Sequence, residues 1–280
     1  MIKISNKKTD KNESFGEVFT RVPNSFIRGH SKDIKKRTIL VYIYLDTYRN
    51  LNNIVNFSLY HLIRSCGYIS NEKTISINND FKSILEFLYD NQMIEFLTSF
   101  VDIKGNSLSQ IKLLDNFDCV DNFTKITLNE TDTLMLKSQN IDKTILFSVY
   151  LYMKSFMINR PLTSDGKEYK NAYEKPSSFF GTYNSLINSL GYSKSTIKKC
   201  FEEFENIGLL KKYETGSYFV TFNGVSKKIN APNIYVLNND RADQEIEWTL
   251  DKLKLLYNVD KFYKIQNKKW DKDYYRHYDK

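Results

Sequence analysis

The sequence predicts an α+β fold, mainly α, built as two tandem winged helix-turn-helix domains with a C-terminal helix and tail. Three observations carry that expectation. Residues 182–192 repeat the pattern of residues 58–68: Leu62 matches Leu186, Ile63 matches Ile187, Ser65 matches Ser189, and Gly67-Tyr68 matches Gly191-Tyr192. Two further anchors precede this one in the same order, Phe19-Thr20-Arg21-Val22 answering Phe123-Thr124-Lys125-Ile126 and Thr38-Ile39-Leu40 answering Thr144-Ile145-Leu146. Constant order with variable spacing is what a duplicated domain looks like once its loops have drifted. In each copy, finally, helical spacing gives way to short β-prone runs around a turn, as in a three-helix unit closed by a hairpin.

The repeat divides the 280 residues into an arm (1–18), a first domain (19–120), a second domain (121–240) and a C-terminal helix with a basic-aromatic tail (241–280). In the first copy, residues 36–49 carry Ile39, Leu40, Ile43 and Tyr44 at helical spacing. Residues 57–66 follow as a second helix capped by Ser58 and ended by Gly67, which suits a left-handed C-cap. A third helix is expected over 78–91 with Phe81, Ile84, Leu85 and Leu88 on one face, then a hairpin over 93–114 turning at 104–107. In the second copy, helices are expected over 143–157, 177–190 and from Ser193 or Ser195 to Asn206, with Gly208 as terminator. A polar insertion at 159–178 separates the first two. Residues 209–213, a turn at 214–217 and residues 218–222 are expected to form the wing, with a last strand over 233–237. Ile246, Leu250, Leu253 and Leu256 then mark an amphipathic helix.

Hydrophobic content of 41% with 15% aromatics suffices for two packed cores. No run approaches the roughly 20 apolar residues of a membrane span, and residues 1–8 lack the apolar stretch of a signal peptide, so no membrane partner and a cytoplasmic location are expected. Cys66, Cys119 and Cys200 have no metal-site spacing, and Cys66 and Cys200 fall at core positions of the repeat. They read as reduced thiols. The net charge of +8 points to a polyanionic partner, although a Lys- and Asn-rich, Ala-poor composition makes charge placement the better guide. His30, His61 and His277 are scattered, and no nucleotide-binding loop, nucleophile elbow or metal-binding carboxylate pair occurs. The chain therefore reads as a non-enzyme with no cofactor, no catalytic residue and no metal.

The densest functional signal is residues 190–199. The second helix of a helix-turn-helix packs by its apolar stripe and turns its other face to the major groove. Ile197, Cys200, Phe201 and Phe204 make the stripe, leaving Lys194, Ser195, Thr196, Lys198 and Lys199 at the N-terminal end with no acid before Glu202. Hydroxyls and helix-terminal amides suit phosphates, and Lys reaches a phosphate or a guanine edge. The first copy offers Asn78, Asn79 and Lys82, where Asn can read adenine. Lys211 and Lys212 begin the second wing and are expected to clamp phosphates, with Lys227 and Lys228 following. The tail residues Lys268, Lys269, Trp270, Tyr274, Tyr275 and Arg276 interleave cations with rings, and are expected to pack on the body of the protein or to stack on unpaired bases.

These residues resemble the winged-helix replication proteins of low-GC Gram-positive plasmids and phages. Residues 19–26 resemble the extended segment before their first helix, and residues 190–212 resemble the helix-turn-helix of RepA-N-type and DnaD-like proteins. Two such units in one chain are similar to the double-winged-helix plasmid initiators. The resemblance implies a sequence-specific binder of double-stranded DNA that initiates plasmid or phage replication, partnered by replication proteins or by itself as a dimer. The same motifs suit a transcriptional repressor of a mobile element. The rival of another class is a protein–protein adaptor in a replisome or partition complex, which an exposed apolar face on the first copy would favour.

Overall fold

The computed structural model describes residues 19–28, 36–114, 123–157, 177–222 and 225–263. The expectations for the arm, Cys119, the insertion up to residue 176 and the tail from residue 264 lie outside these.

Each copy opens on a strand. Strand β1 (Phe19–Pro23) leads into the single helical turn α1 (Asn24–Arg28), and β5 (Phe123–Thr127) leads into α5 (Leu128–Leu136). The two strands pair with each other, antiparallel, with Arg21 directly opposite Lys125. Those two residues are repeat-mates, so an approximate two-fold axis passes through the pair. Alternation sends Thr20, Val22, Thr124 and Ile126 inward. Arg21 and Lys125 stay on the outer face, where like charges repel and the Phe19 and Phe123 rings offset them: Arg21 lies 5.1 Å from the Phe123 centroid and Lys125 4.6 Å from that of Phe19.

The first helices of the two copies, α2 (Thr38–Tyr48) and α6 (Lys143–Lys154), pack on each other beneath this ribbon. Both are buried nearly all round, which is why their sequences are apolar on every face rather than striped. The outcome differs from the two separate cores expected. One continuous apolar cluster runs from Val22 through both helices to Tyr235, and a small second cluster sits under the C-terminal helix.

After α2 come β2 (Ile54–Phe57), α3 (Leu59–Ser65), α4 (Ile75–Asp90), β3 (Ile94–Phe96), a 3₁₀ turn (Phe100–Asp102) and β4 (Ser109–Leu113). The sheet order is β2-β4-β3, all antiparallel. After α6 come β6 (Ser178–Phe179), α7 (Tyr183–Leu190), α8 (Lys194–Asn206), β7 (Leu210–Tyr213), β8 (Ser217–Phe222), β9 (Val225–Asn230) and β10 (Ile234–Leu237), with sheet order β6-β10-β7. Helix, strand, two helices and an antiparallel sheet with its last strand in the middle therefore recur in both halves. Helix α9 (Ala242–Tyr257) packs Ala242, Ile246 and Leu253 against Ile234 and Val236 of β10.

Four local expectations need correction. Residue 57 and residues 178–179 belong to strands β2 and β6 rather than to the second helices, which start at Leu59 and Tyr183, because each pairs with a later strand. Helix α4 starts at Ile75, before the expected Asn78. Strand β7 pairs with β10, not with β8, so the projecting hairpin of the second copy is β8–β9. Leu256, assigned to the buried stripe of the last helix, is 66% exposed.

Candidate nucleic-acid interface

In the second copy, the Thr182 side chain accepts from Ser185 N and starts α7. Gly191 ends it in the left-handed conformation, φ 68°, donating its N–H to Ile187 O. A Cβ there would be strained. Ser193 then caps α8 by accepting from Thr196 N at 3.1 Å. Turn and cap together fix where α8 begins.

Helix α8 buries Ile197, Cys200, Phe201 and Phe204, the stripe read from the sequence. Phe201 stacks on Tyr235 at 4.2 Å, and Phe204 meets Tyr150 edge-on at 5.3 Å, which locks the helix to sheet and core. Lys194, Ser195, Lys198 and Lys199 are exposed on the other side. Lys194 reaches over the Tyr183 ring. Lys198 forms a loose i,i+4 pair with Glu202 at 3.4 Å, both well exposed, a contact of small worth. Lys199 makes no ion pair with any described residue. Thr196 is half-buried, and its hydroxyl shares a hydrogen bond with Ser193 Oγ at 2.8 Å. Thr196 is thus a capping residue as well as a surface one.

Lys211 and Lys212 stand elsewhere than on a wing. Both lie on the sheet strand β7, and each is engaged within the chain. Lys211 Nζ is 2.7 Å from Asp243 in the first turn of α9, and Lys212 Nζ is 2.9 Å from Glu214. The hydrogen bond to Glu214 raises the Lys212 pKa and lowers that of Glu214, while burial raises that of Glu205 nearby. The cations carried by the projecting hairpin are Lys227 and Lys228, both exposed on β9. Successive strand residues point to opposite faces, so the two flank the hairpin. Its base is braced: Ser217 and Tyr263 exchange backbone hydrogen bonds at 2.8 and 2.9 Å, and Tyr218 stacks on Tyr257 at 4.7 Å. That brace connects the C-terminal helix to the hairpin, a role its amphipathic sequence did not disclose.

In the first copy, Ser58 caps α3, Gly67 at φ 85° turns the chain, and a longer turn precedes α4. Asn78 is consumed by that turn: its Nδ2 donates to Asn71 O at 3.0 Å and its Oδ1 accepts from Ser70 Oγ at 3.0 Å. Its amide is thus already bonded within the turn rather than free for a bidentate pair with a base. Asn79 is exposed and Lys82 half-buried. Asp80 is neutralised by Arg37 at 2.6 Å. Ile69 and Ile75, 74% and 65% exposed, add an apolar tip. Lys104 is exposed in the turn before β4, and Lys112 is exposed on β4 itself, opposite Glu95 of β3.

Cys66 and Cys200 are buried and free. Burial pushes the Cys200 thiol up to about 12 and the Cys66 thiol higher still, so both are protonated core groups. Among the described residues no cluster of His, Cys, Asp and Glu is arranged to hold a metal ion, and no helix is long and apolar enough to cross a membrane. No protein-family model, curated protein or solved structure matches the chain.

Proposed function

We propose that each half is a winged helix-turn-helix and that the chain binds duplex DNA by sequence, as a plasmid or phage replication initiator. The observation that carries the reading is the N-terminal end of α8. A capped helix follows a tight glycine turn and exposes Lys194, Ser195, Lys198 and Lys199, with no carboxylate before Glu202. Helix-terminal amides and these cations favour phosphate, and the long lysines extend to base edges. The β8–β9 hairpin adds Lys227 and Lys228 for the flanking backbone. The initiator assignment within DNA binding rests on the resemblance drawn from the sequence.

A second reading applies to the first half. With Asn78 tied into its turn and Ile69 and Ile75 exposed, the tip of α4 is less suited to phosphate than that of α8. It fits a protein contact better, so the second half is the DNA-binding head and the first half the partner-binding one.

The test is duplex binding by fluorescence anisotropy across a salt series, on fragments recovered by genomic pull-down and on scrambled controls. Affinity should fall with salt by a log–log slope of about 0.9 per phosphate contact, and the recovered fragments should bind more tightly. A flat salt response, or no duplex binding in dilute salt, would refute the reading.

A further inference from the structure

We propose that the cleft between the C-terminal end of α4 and strand β3 docks a lysine- and arginine-rich segment of a partner protein. Its volume is about 450 Å³, and it is lined by Glu86, Tyr89, Asp90, Glu95, Phe96 and Phe100. The rings form a continuous platform: Tyr89 lies 5.1 Å from Phe96, and Phe96 lies 5.2 Å from Phe100. Tyr89 is half exposed. Phe96 and Phe100 are half-buried against the core, and Tyr89 presents an exposed ring that attracts cations through its quadrupole.

The charge around the platform selects the occupant. Glu86, Asp90 and Glu95 are exposed, and none forms an ion pair with a described residue. Glu86 and Asp90 sit at the negative end of the α4 dipole, where cations are favoured and acids are not. No basic residue occupies the last turn of that helix. Glu95 stands directly opposite Lys112 of β4, so in a chain of net charge +8 it is Glu86 and Asp90 that lack an ion-pair partner among the described residues. Lysine and arginine supply both things the cleft lacks, a counter-charge and a flat or cationic group for the rings. Strand β3 also pairs with β4 alone among the described residues. Its outer edge is thus open to an extended segment that adds backbone hydrogen bonds.

The site is independent of the proposed DNA-facing surface. It lies in the first half, at the C-terminal end of α4, about 24 Å along the helix from the tip that carries Ile75, and none of its lining residues belongs to α8 or the β8–β9 hairpin. The inference therefore survives even if duplex binding fails.

The experiment uses the full chain without DNA. A fluorescein-labelled decapeptide of alternating lysine and arginine is titrated by anisotropy, with a glycine–serine decapeptide as control. The cationic probe should bind and the control should not. The triple variant E86Q/D90N/E95Q should weaken binding about tenfold, and Tyr89→Ala about threefold. Each single neutralisation is measured as well, so a triple variant that misfolds leaves the ranking readable. Carbodiimide cross-linking of carboxylates to amines, followed by mass spectrometry, should join Glu86, Asp90 or Glu95 to the probe lysines. Equal affinity of all variants and wild type would overturn the proposal. So would cross-links from these carboxylates, without peptide, to the chain's own lysines at 261–280 or to a second copy, because the occupant would then be the tail or a dimer mate.

Discussion

The Tyr68 hydroxyl lies 2.5 Å from Thr144 Oγ1 and 3.0 Å from both carboxylate oxygens of Asp142, so the glycine-tyrosine turn of the first copy closes on the start of the second copy's first helix. The repeat-mates of these residues are Tyr192 and Thr38. Lys36 donates to Leu190 O and covers the Tyr192 ring at 4.1 Å, so the reciprocal contact also exists. There, however, the polar closure is missing. The Tyr192 and Thr38 hydroxyls are both buried without a hydrogen-bond partner. Ser148 faces the Tyr192 hydroxyl and pulls its pKa down, against the rise that burial causes, without meeting full hydrogen-bond geometry. The duplicated device is satisfied on one side of the two-fold and idle on the other.

That asymmetry predicts unequal costs for one chemical change. Tyr68→Phe strips partners from Asp142 and Thr144 and should destabilise by about 1–2 kcal/mol. Tyr192→Phe removes a buried hydroxyl that has no partner and should be neutral or slightly stabilising. Urea unfolding of both variants decides it, and equal losses would mean that the second hydroxyl is bonded in solution.

The two turn glycines should also differ. Both have positive φ, so any Cβ is strained. At Gly67 an added Cβ would also fall 2.7 Å from Lys143 Cγ, whereas at Gly191 the nearest atom is Lys36 Nζ at 3.9 Å. Lys143 cannot yield freely, because its ammonium donates to the carbonyls of Leu134, Met135 and Ser138 at the end of α5. Gly191→Ala should cost about 1 kcal/mol. Gly67→Ala should cost roughly twice that, as read by thermal melting.

A buried ion pair ties α5 to α6. Lys154 contacts Glu130 at 2.5 Å, and Glu130 also accepts from Tyr150 OH and from the N-cap Thr127 N. Lys154→Met leaves that carboxylate buried without its cation and should cost about 3–5 kcal/mol. The double variant K154M/E130Q should recover much of the loss. If it is no more stable than K154M, the carboxylate charge is not the source of the cost.

Much of this was legible in the sequence. The repeat anchors, the α8 stripe, the turn glycines and the buried cysteines are local patterns, and each has a local physical cause. What stayed hidden depends on partners far along the chain. Strands β2 and β6 are too short to show a period of two, and only their pairing with β4 and β10 defines them. The same distance misassigned Lys211 and Lys212: the spacing of turn residues fits a β7–β8 hairpin as well as the observed β8–β9. Asn78 looked free because nothing in its own helix shows that Asn71 and Ser70 fold back on it. The pairing of β1 with β5 joins positions about a hundred residues apart, which no periodicity reports.

The buried thiols predict a pH dependence of stability with a definite sign. Burial raises Cys200 to about 12 and Cys66 above it, against about 8.5 in an unfolded chain. The folded state therefore holds its thiol protons when the unfolded state releases them. Stability from this source is fully present below about pH 8.5 and declines as pH rises toward 12. Cys200→Ala alone should flatten part of the alkaline slope, at the expense of a cavity beside Phe201 and Phe204. Chemical denaturation at a series of pH values from 7 to 10 measures the slope. Thiol labelling should meanwhile be slow in native buffer and accelerate with denaturant as the chain opens. Rapid modification of Cys66 or Cys200 in the folded protein at pH 8, or an alkaline slope unchanged in a variant lacking both, would show that these thiols are not the sealed core groups described.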